Sequence, residues 1–289
     1  MKQLVSLKNL KRRVNKLTDI KLNNVSFSYP GDFLALDNIN IEISSGENVA
    51  IVGQNGAGKT TAVKLMNNLL KPTVGDVLIG EMNTKDYTTA QISKIVGYVF
   101  QNPDDQIFHS TVIEEVEFGP KELGFDEEKV KDLVEKALKL TNMDKFRDEN
   151  PYNLPLSTRK FVTIASILAM DTDVIIFDEP TAGQDLLGNQ RLSKIIERLI
   201  EKGKTLITIT HDMEFVVQNF NRVIVMANKK VIREGTPSEV FWDFQSLEEA
   251  KLKQPTISHM SRKLGISKQI TYTEELIELI VENIRDKEQ

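Results

Sequence analysis

Residues 48–61 read Asn-Val-Ala-Ile-Val-Gly-Gln-Asn-Gly-Ala-Gly-Lys-Thr-Thr, and they are the strongest indication of the fold class in the sequence. Its first five residues are rich in β-branched apolar side chains, which predicts a short strand buried on both faces. Residues 53–60 then match the phosphate-binding pattern Gly-x4-Gly-Lys-Thr, and a helical pattern follows over 61–70. This order predicts a nucleoside triphosphate site, because backbone N–H groups and the helix start would face phosphate oxygens.

Each residue of this loop has a predicted part in binding. Lys59 would reach the β- and γ-phosphates and so take part in catalysis, and the Thr60 hydroxyl would be a ligand of Mg²⁺. Glycine lets the backbone wrap tightly enough for successive N–H groups to point at one anion. The predicted nucleotide-binding residues are Gly53, Gln54, Asn55, Gly56, Ala57, Gly58, Lys59, Thr60 and Thr61.

Acidic and imidazole side chains follow two further apolar runs. Residues 173–177 and 204–210 predict buried strands, with a helical pattern between them. Such alternation predicts a parallel α/β sheet whose polar loops collect at the carboxyl ends of the strands. There Asp178 can hold Mg²⁺ through water, and Glu179 can orient and deprotonate the attacking water. His211, at the end of the later strand, can contact the γ-phosphate.

The composition excludes several other classes of protein. The chain has 289 residues, 40% of them hydrophobic and 27% charged, as in an ordinary globular protein. It has no cysteine, which excludes disulfide frameworks, thiolate metal clusters and cysteine nucleophiles. Its apolar runs are far shorter than the roughly 20 residues of a membrane-spanning helix, so no membrane crossing is expected. The net charge of −5 argues against a nucleic-acid partner, because such binding favours a basic surface.

Two other patterns complete the predicted fold. Residues 19–47 and 73–87 alternate apolar and polar side chains between turn residues, which predicts an antiparallel β layer. Residues 103–172 are predicted to be mostly helical and inserted between strands of the parallel sheet. The expected fold class is therefore α/β, with a mixed sheet core, an antiparallel β layer and an inserted helical subdomain.

The chain is predicted to comprise one main domain with an extension at each end. The nucleotide-binding domain is expected over 17–245, after an N-terminal extension over 1–16. A C-terminal helical extension over 246–289 is a candidate for dimerisation. It includes an amphipathic helix, before which Thr271 and Glu274 are predicted to form a capping box.

Several motifs in this order resemble those of the nucleotide-binding subunits of ATP-binding cassette (ABC) transporters. The resemblance covers about residues 18–245 and implies the P-loop NTPase fold of the ABC type. It also implies an enzyme that hydrolyses ATP with Mg²⁺ and works as a head-to-tail dimer with ATP between its subunits. The motifs that carry it are Tyr29, Gly53–Thr60, Gln101, Val174–Glu179, Ala182–Asp185 and Thr210–Asp212.

The resemblance also implies roles for individual residues. Tyr29 would stack on adenine, and Gln101 would contact Mg²⁺ and sense the membrane partner. Glu179 would be the catalytic base, with His211 as the switch histidine. Asp185 would belong to a loop that crosses the dimer interface.

Three segments are similar to those of energy-coupling-factor importers, the cobalt, nickel and vitamin group. They are Phe100–Phe108, Val116–Pro120 and the tail from about Pro255. In that group two ATPase subunits drive a transmembrane coupling protein, and a separate membrane protein captures the substrate. The resemblance therefore implies a peripheral subunit at the cytoplasmic face of the cell membrane that powers uptake of a vitamin or metal ion.

Gln106, Ile107 and Phe108 are the predicted contact with the transmembrane partner. Ile107 and Phe108 are apolar and flanked by polar residues, which is typical of a small docking patch for a partner helix. The alternative is that both are ordinary core residues.

The chain departs from the family at one motif. The signature Leu-Ser-Gly-Gly-Gln is replaced by Leu154–Thr158 in an ungapped alignment, whereas a frame that starts at Leu156 needs a deletion of two residues. Pro155 has neither a hydroxyl nor an N–H group, and Leu156 hinders the close approach of phosphate. Ser157 is expected at the dimer interface as a partial substitute. We therefore expect the second ATPase subunit to be a different chain with an intact signature.

Three other functions stay open at this point. The chain could be a soluble ABC ATPase without a membrane partner, although such proteins usually carry two cassettes or a long coiled coil. It could be a P-loop kinase of a small molecule, against which Asp178, Glu179 and His211 argue. It could also be a binding-only pseudo-ATPase, which the altered signature favours and the intact Glu179 disfavours.

Overall fold

The computed structural model describes residues 18–285 of the chain. The predicted N-terminal extension over 1–16 and the last four residues, 286–289, lie outside the described residues. Within the described part, no helix is both long and apolar enough to cross a membrane.

The strands of the molecule belong to two sheets. In chain order they are β1 (Ile20–Tyr29), β2 (Phe33–Ile43), β3 (Asn48–Val52), β4 (Val74–Ile79), β5 (Met82–Asn83), β6 (Val96–Val99), β7 (Val174–Asp178), β8 (Thr205–Ile209), β9 (Arg222–Ala227) and β10 (Lys230–Gly235). The strands predicted at 48–52, 173–177 and 204–210 are confirmed as β3, β7 and β8, with their ends within one residue of the prediction.

The larger sheet has six strands in the order β10-β9-β3-β8-β7-β6. Its strands are parallel except β10, which runs antiparallel to β9. Ile51 of β3 and Asp178 of β7 flank Ile209 of β8 in register. The carboxyl ends of three neighbouring strands therefore lie side by side, and the predicted mixed sheet is confirmed.

The smaller sheet is antiparallel, in the order β2-β1-β4-β5. The antiparallel layer predicted from 19–47 and 73–87 is thereby confirmed. This sheet packs on one face of the larger one, in a cluster that includes Ile51 and Ile176. Successive strand residues point to opposite faces, so Phe177 belongs to a second cluster on the other face.

Helices lie on both faces of the larger sheet and form the C-terminal part of the described chain. They are α1 (Lys59–Met66), α2 (Thr89–Ile92), α3 (Val112–Glu122), α4 (Glu127–Thr141), α5 (Leu156–Ala169), α6 (Leu186–Glu201), α7 (Met213–Asn219), α8 (Pro237–Phe241), α9 (Phe244–Ala250), α10 (Thr256–Lys263) and α11 (Thr273–Arg285). The helical content predicted for 103–172 is confirmed by α3, α4 and α5, which lie between β6 and β7 in the chain. The domain boundaries stay a prediction.

The start of α11 differs from the prediction. The Thr271 hydroxyl accepts a hydrogen bond from Nε1 of Trp242 at 3.2 Å. Glu275, not Glu274, accepts hydrogen bonds from the N–H groups of Thr271 (2.8 Å) and of the next residue (3.0 Å). The predicted capping box of Thr271 and Glu274 is therefore wrong. The Thr271 hydroxyl is hydrogen-bonded to the Trp242 indole, and the helix begins two residues later, at Thr273.

Candidate active site

Groups predicted on separate motifs meet at one edge of the larger sheet. β3, β8 and β7 are adjacent and parallel, so the residues that follow them leave the sheet at the same edge. The glycine-rich loop 53–58 follows β3, Asp178 and Glu179 lie at the end of β7, and His211 follows β8. The fold thus makes neighbours of groups that lie far apart in the sequence.

The glycine-rich loop needs glycine at two positions. Gly53 has a φ of 149°, and a Cβ atom there would lie 2.1 Å from the carbonyl oxygen of Met226. Gly58 has a φ of 101°, and a Cβ atom there would lie 2.7 Å from the carbonyl oxygen of Ala35. Both distances are too short for non-bonded atoms, so any other residue would push the loop away from β9 or β2.

Lys59 begins α1 and points back into the loop. The residue is only 6% exposed, and its Nζ donates hydrogen bonds to the carbonyl oxygens of Gly53 (2.8 Å) and Gln54 (3.0 Å). Burial lowers the pKa of Lys59, while the nearby carboxyl groups of Glu179 and Asp178 oppose that shift. The loop carbonyls and the acidic pair therefore hold a desolvated cation where a phosphate group can meet it.

The first turn of α1 offers backbone N–H groups to an anion. No side chain caps this helix at Gly58, and its first turn contains no acidic residue. The first N–H groups of a helix have no partner within the helix, and the helix dipole places partial positive charge there. The start of α1 therefore suits phosphate oxygens.

Asp178 presents a buried oxygen that suits a metal ion. Its Oδ2 accepts a hydrogen bond of 2.6 Å from the Tyr98 hydroxyl, whereas Oδ1 is buried and has no hydrogen-bond partner among the described residues. Burial raises the pKa of Asp178, and Tyr98, Lys64 and Lys59 oppose that shift. The Thr60 hydroxyl lies beside this carboxyl group. Mg²⁺ takes oxygen ligands, so the donors present here fit that ion.

Tyr98→Phe tests how the Asp178 carboxyl group is held. The change removes the donor to Oδ2 and leaves a buried acceptor unpaired, so we expect a loss of about 1–3 kcal/mol in the free energy of unfolding. Urea denaturation measures this loss. Tyr87→Phe is the control, because it removes the hydroxyl of a tyrosine packed against the same core cluster. Equal unfolding free energies for the wild type and Tyr98→Phe would contradict the prediction.

Glu179 has a left-handed backbone conformation and faces His211. Its φ is 50°, which costs a non-glycine residue about 1–2 kcal/mol. Its N–H group donates to the carbonyl oxygen of Ile209 at 2.9 Å. Oε2 lies 2.8 Å from Nδ1 of His211, whose side chain is 68% exposed while that of Glu179 is 9% exposed. Burial raises the pKa of Glu179, and His211 opposes the shift.

Tyr29 lies beside the start of α1. Its hydroxyl is 3.2 Å from Oγ1 of Thr61, and its ring meets Phe27 edge-on with the ring centroids 4.9 Å apart. The ring is half-buried at the end of β1. The contact with Thr61 places Tyr29 beside the first turn of α1, directly after the glycine-rich loop, while its stacking on adenine stays a prediction.

Three further predicted residues lie on connections outside the loop. Gln101 is exposed, two residues after β6. Asp185 is exposed and caps α6, because its Oδ1 accepts a hydrogen bond of 2.7 Å from the Gly188 N–H group. Ser157 lies in the first turn of α5, where its carbonyl oxygen accepts a hydrogen bond of 3.0 Å from Nε2 of Gln184. Their contacts with metal or with a second subunit stay predictions.

The predicted docking patch is only partly exposed. Ile107 is 2% exposed and lies in the same core cluster as Phe177, so its assignment to an exposed patch is wrong. Gln106 is turned inward, since its amide contacts the Phe100 N–H group (3.1 Å) and the Thr163 carbonyl oxygen (3.0 Å). Phe108 is 82% exposed. Ile107 packs into the apolar core below the turn. Of the three predicted contact residues, Phe108 alone is exposed enough to contact a partner.

Two residues that the motifs did not single out contact the acidic pair. Tyr98 donates to Asp178, and the buried Lys160 of α5 donates to the backbone carbonyl oxygen of Glu179. Tyr98 had a signal in the sequence, because it is a polar side chain in the otherwise apolar run 96–100, where a buried polar group needs a specific partner. Lys160 had none, because it directly follows the polar residues 157–159.

The altered signature segment forms the start of α5. The helix begins at Leu156, with Pro155 in the N-cap position and no hydrogen bond from a capping side chain. Leu156 is 56% exposed. An apolar side chain therefore projects from the turn that the resemblance assigns to contact with a second subunit.

Comparison with known proteins agrees with this geometry. The sequence profile of the ABC transporter family matches residues 36–182 of the chain. The chain is 42% identical over 243 residues to the energy-coupling factor transporter ATP-binding protein EcfA of Methanocaldococcus jannaschii, an alignment that covers 83% of this chain and 87% of that protein.

Solved structures show the same fold. The structure of cbiO1 from Clostridium perfringens, part of the ABC transporter complex cbiONQ, is 34% identical with a TM-score of 0.71, covering 84% of this chain and 98% of that one. The dimeric, post-hydrolysis structure of the ATP-binding cassette MJ0796 bound to ADP and Pi is 28% identical with a TM-score of 0.69, covering 75% of this chain and 98% of that one. This chain therefore belongs to the ABC transporter family, as an ATP-hydrolysing subunit.

Proposed function

We propose that this chain is the ATPase subunit of an energy-coupling-factor importer and powers the uptake of a vitamin or a metal ion. One observation carries the ATPase part of the proposal. A buried lysine in a glycine-rich loop, a carboxyl group whose Oδ1 has no hydrogen-bond partner among the described residues, and a Glu–His pair converge at one sheet edge. The relative named EcfA and the similarity to cbiO1 support this class of transporter.

Side chains of the chain itself can carry out the hydrolysis. Lys59 and the N–H groups of the loop bind the β- and γ-phosphates. Glu179 takes a proton from water as the water oxygen bonds to the γ-phosphorus and the bond from that phosphorus to the bridging oxygen breaks. Burial raises the pKa of Glu179, which makes it a stronger base. His211 holds the carboxylate through Nδ1.

Mg²⁺ is proposed to bind between the loop and the acidic pair. Thr60 and Asp178 would hold it, and Gln101 would be a further ligand. When bound, the ion neutralises negative charge on the phosphate oxygens. The buried Oδ1 of Asp178, which has no hydrogen-bond partner within residues 18–285, supports this assignment.

The nucleotide is proposed to lie between two different ATPase subunits. Tyr29 would stack on the adenine, while Asp185 and Ser157 would face the second subunit. Pro155 offers no N–H group, and Leu156 places an exposed side chain where a phosphate of the partner's ATP would approach. A partner with an intact signature would complete the site built on this chain's own loop.

The transmembrane partner is proposed to contact the surface around Phe108. Phe118 and Tyr152 are also exposed, at 50% and 48%. The Tyr152 hydroxyl donates to the carbonyl oxygen of Ile107, and His109 contacts the ring of Phe118 at 4.9 Å between centroids, so these aromatic residues surround one turn. Such a patch suits a helix of a coupling protein at the cytoplasmic membrane face, which would act with a substrate-binding membrane subunit.

ATPase assays of the complex and of the isolated chain test this proposal. We expect the chain to co-purify from solubilised membranes with a transmembrane protein and a second ATPase, and to hydrolyse ATP slowly when isolated. Pro155→Ser combined with Leu156→Gly should raise the rate of the isolated chain about ten-fold to a hundred-fold, because one restored charge-assisted phosphate contact is worth about 1.5–3 kcal/mol.

The control is Leu264→Gly, which removes another exposed leucine, at the end of α10. This variant should leave the ATPase rate unchanged. Full-rate turnover by the isolated wild-type chain, or no gain from the repaired signature, would contradict the proposed pairing. Isolation of the chain from native membranes without any membrane protein would contradict the transport function.

A further inference from the structure

We propose that Lys160 is a positioning residue for the catalytic carboxylate: by bonding to the main chain of Glu179, it fixes the direction in which the Glu179 side chain points. The inference rests on the proposed role of Glu179 as the base. Lys160 belongs to α5, whereas Glu179 follows β7, so the contact joins the inserted helices to the large sheet.

Lys160 has lost nearly all contact with water. The residue is 4% exposed, and its Nζ donates hydrogen bonds to the carbonyl oxygens of Glu179 (2.9 Å) and Ala182 (3.1 Å). A buried ammonium group is unfavourable unless it is paired and hydrogen-bonded. Burial lowers the pKa of Lys160, and the carboxyl groups of Glu179 and Asp178 oppose this. The loop after β7 therefore supplies the partners of this cation.

The main chain of Glu179 is strained and needs such partners. A non-glycine residue with a φ of 50° persists where the surrounding structure determines its conformation. The N–H group of Glu179 is bonded to Ile209, and its carbonyl oxygen accepts from the Ala182 N–H group at 3.2 Å. Lys160 supplies the remaining bond to this carbonyl, from a different layer of the fold. Without it, the peptide after Glu179 is freer to rotate and the carboxylate moves with it.

A second contact joins the same two segments. Nε2 of Gln184 donates to the carbonyl oxygen of Ser157 at 3.0 Å. The loop 179–184 is therefore attached to the first two turns of α5 at two points. Lys160 thus connects the carboxylate to the helix whose start is proposed to face the second subunit.

Lys160→Met tests the inference in the complete transporter complex. The methionine keeps most of the apolar stem and removes both hydrogen bonds and the charge. We expect kcat to fall about ten-fold to a hundred-fold, as for a misplaced catalytic group, while the KM for ATP stays within about two-fold of the wild type. Lys160→Arg keeps the donors and the charge, and we expect it to restore most of kcat.

Lys204→Met is the matched control. Lys204 is also largely buried, with its side chain 15% exposed, and its Nζ donates to the carbonyl oxygen of Asp171 at 3.1 Å. It precedes β8 and so lies at the other end of the sheet from Glu179. A purely structural role for Lys160 predicts that both methionine variants change the melting temperature and leave kcat alone, which would overturn the inference.

Two further variants keep the test decisive. Lys160→Gln is used if Lys160→Met does not fold. The glutamine amide is shorter than the lysine side chain and cannot reach both carbonyl oxygens, so kcat should fall several-fold at unchanged KM. A wild-type kcat for this variant would overturn the inference.

Glu179→Gln separates the two proposals. If it abolishes turnover while Lys160→Met keeps the wild-type kcat, only the Lys160 inference fails; if it turns over normally, the role of Glu179 fails as well.

Discussion

Glu179→Gln is expected to lower the rate of ATP hydrolysis by about a hundred-fold to ten-thousand-fold, the usual contribution of a general base, while the Kd for ATP changes little. The amide has nearly the shape of the carboxylate and still lies next to His211, but it cannot accept the proton of the attacking water. Binding is proposed to depend instead on Lys59 and on the N–H groups of the loop, which the change leaves in place.

The folded state should tolerate this substitution. Burial raises the pKa of Glu179, so the ionised side chain disfavours folding above that pKa, and a neutral amide removes this cost. Thermal unfolding should therefore stay close to that of the wild type. Glu197→Gln, on the exposed face of α6, is the control and should hydrolyse ATP normally. Turnover by Glu179→Gln within ten-fold of the wild type would remove Glu179 from the role of base.

Lys59→Met is expected to weaken ATP binding by about a hundred-fold or more. The ammonium group of Lys59 is already desolvated and is held by the carbonyl oxygens of two loop residues. A bound phosphate can therefore pair with this positive charge without a large further cost of desolvating the lysine. A charge-assisted hydrogen bond is worth about 1.5–3 kcal/mol, and Lys59 is proposed to reach two phosphates. Titration calorimetry with Mg-ATP measures the change.

A surface lysine gives the comparison for this variant. Lys94→Met removes the same charge from an exposed position after α2 and should bind ATP as the wild type does. Removal of a buried cation also relieves its desolvation, so Lys59→Met should remain folded in urea denaturation. An unchanged Kd for the folded Lys59→Met variant would contradict the proposed nucleotide site.

Local sequence was enough to predict the elements around the loop. The ends of β3 agree with the prediction, because its apolar run is short, rich in β-branched residues and followed at once by Gly53. Helix ends were less predictable: the helix predicted over 61–70 is observed as α1, Lys59–Met66. The helix begins directly after the glycine-rich loop because the backbone at Gly58 is left-handed. The spacing of apolar residues in the sequence does not show this turn.

The docking patch shows where local pattern failed. Ile107 and Phe108 are adjacent apolar residues with polar neighbours, and the sequence offers no reason to separate them. The fold places Ile107 in the core and leaves Phe108 in solvent. The direction of each side chain depends on the core cluster that Ile107 joins. That cluster includes residues of α3 and α5, and both helices come later in the chain.

The α/β fold, the glycine-rich loop and the acidic pair could be predicted from the sequence, because each depends on residue types at short and regular spacing. The hydrogen bond from Tyr98 to Asp178, the hydrogen bond from Lys160 to the main chain of Glu179 and the burial of Ile107 could be seen only in the folded structure. These are contacts between segments brought together by the strand order, and their partners are set by distance and burial rather than by position along the chain.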